Sequence, residues 1–156
     1  MALSSDHGLA EQFRPDGTLE SATFSLRGGC VWDESGYRTD GTPAVRNTYR
    51  GENGADGQTT LSFWPGGALN TERVIEPADD WRQRFVRCLD EAGRDPAPGG
   101  TGRLHQCLGE EGGLRRWRVG RLVDGYLEGE VVWMEAAEGG EAQETGRASY
   151  QAGREA

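Results

Sequence analysis

Short runs in which apolar and polar residues roughly alternate, each cut off by glycine, make up much of this chain. Thr18-Leu19-Glu20-Ser21-Ala22-Thr23-Phe24 is one such run and Gln58-Thr59-Thr60-Leu61-Ser62-Phe63 is another. Glu130-Val131-Val132-Trp133-Met134 sets Val131 and Trp133 on one face and Val132 and Met134 on the other. A period of two is the signature of an extended strand, whose side chains point to opposite faces in turn. The pattern predicts β structure throughout.

The breaks between runs repeat. Phe13-Arg14-Pro15-Asp16-Gly17-Thr18-Leu19 places an aromatic before a turn and Leu two residues after its glycine, and Phe63-Trp64-Pro65-Gly66-Gly67-Ala68-Leu69 does so at the same offsets. Tyr37-Arg38-Thr39-Asp40-Gly41-Thr42-Pro43 keeps all but the Leu. Glu110-Glu111-Gly112-Gly113-Leu114 and Ala137-Glu138-Gly139-Gly140-Glu141-Ala142 are weaker copies. Glycine supplies the positive φ that tight hairpin turns require. A second kind of break, Asn53-Gly54-Ala55-Asp56-Gly57 and Asp124-Gly125-Tyr126-Leu127-Glu128-Gly129, launches a strand that ends in aromatics. Full units are expected near 49–75 and 117–154.

One stretch interrupts the repeat. Glu76-Pro77-Ala78-Asp79-Asp80 has proline and acids where a helix begins, and Trp81, Phe85, Cys88 and Leu89 fall on one stripe at helical spacing. Gly93 suits a C-cap, and Asp95-Pro96-Ala97-Pro98-Gly99-Gly100 reads as a loop. An α-helix near 77–92 is predicted, either plugging an open part of the sheet or adding a partner surface.

The strand Asp124–Trp133, then Glu138-Gly139-Gly140-Glu141-Ala142, then Tyr150-Gln151-Ala152-Gly153 resembles the repeat of the bacterial MORN family in its YwqK-type antitoxins. Degenerate copies extend the resemblance over most of the chain. It implies an all-β fold, an antiparallel meander of MORN-like hairpins forming a twisted open sheet or partly closed barrel. The expected organisation is one domain over 1–156 with a helical and loop insertion at 76–100. The function implied is that of a non-catalytic protein-binding module, neutralising a partner by contact as an antitoxin or immunity protein does.

Composition narrows the field. The chain has 156 residues, 25 of them glycine, and a formal net charge of −9. Every basic side chain is arginine, which fits a GC-rich bacterial genome. The acidic balance argues against nucleic acid, whose phosphates need clustered cations, and against anionic membranes. A basic protein, such as a cognate toxin or effector, is the complementary partner. No run is long enough to span a membrane. Met1–His7 lacks the charge and apolar core of a secretory signal, so a cytoplasmic protein is expected.

Candidate chemistry is sparse. Glu128 and Glu130, with Asp124, are the residues that would carry acid–base catalysis if two of them shared a strand face. The competing reading has them solvating the sheet. Trp64, Trp81, Phe85, Trp117, Tyr126 and Trp133 are candidate partner contacts, or else core. His7, His105 and the three cysteines have no metal-ligand spacing, and no cofactor motif is present. Whether Cys88 and Cys107 are bonded is left open. The basic run Leu114–Arg121 is expected to pair with Glu110 and Glu111. A second reading of the whole is a small-molecule enzyme or carrier, its pocket inside a curled sheet capped by the 77–92 helix. The protomer is expected to be a monomer or a homodimer joined at sheet edges.

Overall fold

The computed structural model describes residues 8–26 and 30–156. The strands form two antiparallel sheets. The first takes β1 (Gly8–Phe13), β2 (Leu19–Leu26), β3 (Cys30–Tyr37), β4 (Pro43–Arg50), β5 (Gly57–Phe63), β6 (Leu69–Ile75) and β7 (Gln83–Cys88), neighbours in space as in sequence. The second holds β8 (Gly102–Glu111), β9 (Leu114–Val123), β10 (Tyr126–Ala137), β11 (Gln143–Gln151) and β12 (Arg154–Glu155), ordered from β12 to β8.

The expected fold is corrected on two points. The strands divide between two sheets rather than forming one meander, and no closed barrel is present among the described residues. The expected helix near 77–92 is absent. Its place is taken by a single 3₁₀ turn, Pro77–Asp79, and by strand β7. Asp80 and Trp81 both adopt positive φ, at 56° and 58°, and two such residues in succession stop a helix. The misleading stripe has a local cause. A bulge pairs Glu72 with Arg87 but Arg73 with Phe85, so Val86 is the extra residue. The bulge turns Phe85 and Cys88 to the same buried side, three residues apart as on a helix. Over 76–100 the only helical turns are thus the short 3₁₀ turns Pro77–Asp79 and Pro98–Gly100.

Three hairpin tips of the first sheet and the turn that follows β7 share one geometry. The first residue, Arg14, Arg38, Trp64 or Asp90, accepts a bond from the N–H three residues on and donates its own N–H to the carbonyl four residues on. The fourth position is Gly17, Gly41, Gly67 or Gly93, each at positive φ. Gly93, expected to cap a helix, thus closes a fourth copy of the tip. Gly112-Gly113, Asp124-Gly125 and Ala152-Gly153 are a different device: two-residue turns with both positions at positive φ.

The tips are linked by their first side chains. Arg14 Nη2 donates to the carbonyl of Tyr37, just before the next tip, while its Nη1 donates to Leu19 O at 2.9 Å. Arg38 repeats both bonds one unit later, to Phe63 O at 2.7 Å and to Pro43 O. In the third unit the donor is an indole: Trp64 Nε1 donates to Leu89 O at 3.0 Å.

The apolar core lies at the C-terminal end of the molecule. Phe85 and Cys88 of β7 meet Leu104, Leu122, Leu127 and Val131 of the second sheet, with Ala97 of the intervening loop and the partly buried Trp133 and Tyr150. Elsewhere the sheets meet through polar groups. Thr60, Ser62, Asn70, Thr71, Gln106 and Arg118 are all buried. Asn70 bridges the sheets: its Nδ2 donates to His105 O at 2.8 Å and to Leu89 O at 3.3 Å, and its Oδ1 accepts from Cys107 N at 2.7 Å. Gly125 makes a second bridge, donating to Gly100 O at 2.8 Å and accepting from Phe85 N at 2.7 Å. A Cβ at Gly125 would stand 2.8 Å from Phe85 O, and φ there is +85°.

Asn70→Leu strands one buried carbonyl and one buried N–H, and a loss of about 2–5 kcal/mol of unfolding free energy is expected. Urea denaturation measures it. Gly125→Ala, strained in both space and φ, is expected to cost more than about 1 kcal/mol in the same assay. Gly17→Ala at an uncrowded tip, by contrast, carries only the φ penalty, about 1 kcal/mol.

Candidate functional site

Two of the four sheet edges are met by the opposite sheet. Gly125 bonds to β7 at Phe85, and Asn70 meets β8 at His105 and Cys107. At the far edge of the second sheet the two-residue β12, with its charged Arg154 and Glu155, covers β11 only at Tyr150 and Gln151. Short charged strands and covered edges are the usual ways of preventing adventitious pairing. β1 is uncovered along its whole length: it pairs only with β2, and among the described residues nothing covers its outer side.

That same end of the sheet carries four of the seven exposed large apolar residues among the described residues. Leu9 sits directly across from Phe24, and they are 53% and 37% exposed. Phe13 at the end of β1 and Trp32 on β3 are exposed as well. Glu11 and Glu20 accompany them as exposed acids on β1 and β2. Leu9, Phe13 and Phe24 were not among the sequence-predicted partner contacts, because they lie apart in the sequence. Only the β1–β2 register brings Leu9 and Phe24 together.

The sequence-predicted aromatics separate into groups. Trp64 and Phe85 are buried, the first between the sheets and the second in the core. Trp64 packs edge-on to His105, with ring centroids 5.0 Å apart, and Trp117 lies 6.1 Å beyond His105. Trp133 packs against the core. Tyr126 donates its hydroxyl to Asp79 Oδ2 at 2.6 Å, beneath the Arg82 guanidinium 4.4 Å from its ring. Its hydroxyl, and then Arg82, hold the Asp79 carboxyl below its usual range. Trp81 alone of the six is largely exposed, at 52%.

The three candidate carboxylates have separate engagements. Glu128 Oε2 accepts from Ala152 N at 2.7 Å, and Glu130 pairs with Arg147 at 2.8 Å. Asp124 forms the β9–β10 turn, where its backbone N–H donates to Thr101 Oγ1. Between Glu128 and Glu130 simple alternation fails, because β10 advances from Glu128 to Val132 while β9 moves only from Arg121 to Val119. In the basic run, Arg116 pairs with Glu135, while Glu110 pairs with Arg38. Arg118 turns inward to Gln106 and Gln83.

His7 lies outside the described residues. Among the described residues no three His, Cys, Asp or Glu side chains converge as metal ligands, and no helix is long and apolar enough to cross a membrane. Cys88 and Cys107 are both buried free thiols. No protein-family model and no curated protein matches the chain.

Burial, and secondarily the charge of Asp95, push the Cys88 thiol up to about 12. Reactivity follows the thiolate, so Cys88 is expected to resist alkylation until the protein unfolds. Mass mapping of iodoacetamide-labelled peptides, native against urea-unfolded, measures this. Desolvation lowers the His105 pKa below 6.5. The unfolded chain then binds more protons below pH 6.5 than the folded one, so His105's contribution makes stability fall as pH drops through that range. Imidazole NMR titration should give a midpoint below 6.5, and His105→Gln should flatten the pH dependence of stability there.

Proposed function

We propose that the protein is a non-catalytic binding module that holds a partner protein at the β1 end of its first sheet. The observation that carries this is the coincidence of the uncovered edge of β1 with the exposed pair Leu9 and Phe24. An uncovered edge offers backbone donors and acceptors to an incoming strand, and the alternate apolar side chains beside it offer contact specificity. Glu11, Glu20 and the net charge of −9 favour a basic segment on the partner. The resemblance to YwqK-type antitoxins supports the same reading, with neutralisation of a toxin or effector by contact as its outcome.

The test is capture of the product of the adjacent gene by the full chain, with rescue of growth when both are expressed. Leu9→Asp and Phe24→Asp place a like charge on an exposed site and should change folding stability by less than about 1 kcal/mol. Each is expected to weaken capture at least tenfold and abolish rescue. Undiminished capture by both variants, or no capture by the native chain, would refute the β1 docking site.

A further inference from the structure

An arginine side chain stays charged in a protein, and burying that charge without an anion is costly. Arg118 is almost fully buried, yet no carboxylate among the described residues pairs with it. Its Nε donates to Gln106 Oε1 at 2.6 Å and its Nη2 to Gln83 Oε1 at 3.3 Å. Its Nη1 donates to none of the described residues. Arg73 converges on the same acceptor, with Nη1 3.0 Å from Gln83 Oε1. Arg73 Nε and Gln106 Nε2 are buried without any partner. Desolvation, then the charge of Arg118, lowers the Arg73 pKa to about 10. The cluster thus has donors in excess, one carbonyl oxygen shared by two arginines, and no anion, inside a chain of net charge −9.

A cleft of about 190 Å³ leads to it. Gln83 and Arg118 line the cleft, with Trp81, Arg82, Tyr150, Arg154 and the Asp80 carboxylate among its other walls. Arg82 and Arg154 are already paired, with Asp79 and Asp80. Arg118 is the cation with bonding capacity to spare. The volume is below that of pockets for drug-sized ligands. A planar guanidinium fork matches a carboxylate, and the rings of Trp81 and Tyr150 suit a carbon skeleton.

We propose that the cleft between Trp81–Gln83 and Tyr150–Arg154 binds a small organic carboxylate, which Arg118 holds through its unoccupied Nη1. This site shares no residue with the β1 edge, so either reading can fail alone. Benzoate is the probe. Titrated into the full chain at fixed ionic strength, it should shift the Trp81 indole and Arg118 side-chain N–H resonances saturably, with one site. Nuclear Overhauser contacts from its ring to Trp81 and Tyr150 place it without any substitution. Arg118→Gln should weaken binding at least tenfold, and Arg46→Gln, on β4, should leave it unchanged. Inorganic phosphate should compete poorly. The proposal is overturned if benzoate produces no saturable shift, if its contacts lie elsewhere, if Arg118→Gln binds equally well, or if phosphate binds the cleft more tightly.

Discussion

The edge strand β8 presents the His105 carbonyl and the Cys107 N–H toward the first sheet, and the Asn70 carboxamide meets both. An amide side chain is the right group for this. It offers one donor and one acceptor in a plane, as a neighbouring strand would, and so extends the ladder by a single step. Asn70 Nδ2 also reaches Leu89 O, which Trp64 Nε1 holds as well. One buried residue therefore fixes the β6 strand, the β8 edge and the entry to the fourth tip. Without it the sheets would present unsatisfied backbone to each other across a dry interface, a worse outcome than separation into water.

Around that bridge the molecule divides its labour. The apolar core is small and lies where β7 covers the second sheet. The remaining contact between sheets is made largely by polar side chains, Asn70 and Arg38 among them, together with the packing of Trp64 on His105. A chain that is only 35% hydrophobic cannot line two whole sheet faces with aliphatic side chains. It joins them by matched polar groups instead, and such networks are exacting because each member needs its partner. The Arg73–Gln83–Arg118–Gln106 group is the place where matching stops short.

Strands and tips were legible in the sequence because they depend on nearest neighbours: alternation for the strands, a glycine at the fourth position for the tips. The Asp90–Gly93 tip escaped notice because Asp90-Glu91-Ala92 reads as helix when taken alone. The false helix arose from the same locality. A bulge opposite Glu72 and Arg73 reproduced helical spacing in Phe85 and Cys88, and only the partner strand reveals it. The division into two sheets was illegible for a different reason. It turns on Asn70 and Gly125, each ordinary in its own segment and distinctive only through contacts far along the chain. Likewise the carboxylate cluster was close in sequence and dispersed in space, whereas Leu9 and Phe24 were the reverse. Arg118 looked like one of several surface cations until its inward turn was seen.

The forward reach of each tip has a further consequence. Arg14 and Arg38 each hand an equivalent bond to the unit after them, but Arg38 also pairs with Glu110 of the second sheet, so the Arg14 unit is the link that touches the first sheet alone. The indole of Trp64 is the adaptor that ends the series, because its ring also packs on His105 of the second sheet. A link of the Arg14 kind can thus be gained or lost without disturbing the core. The reach of the first sheet becomes a variable that evolution can adjust independently of the fold's stability.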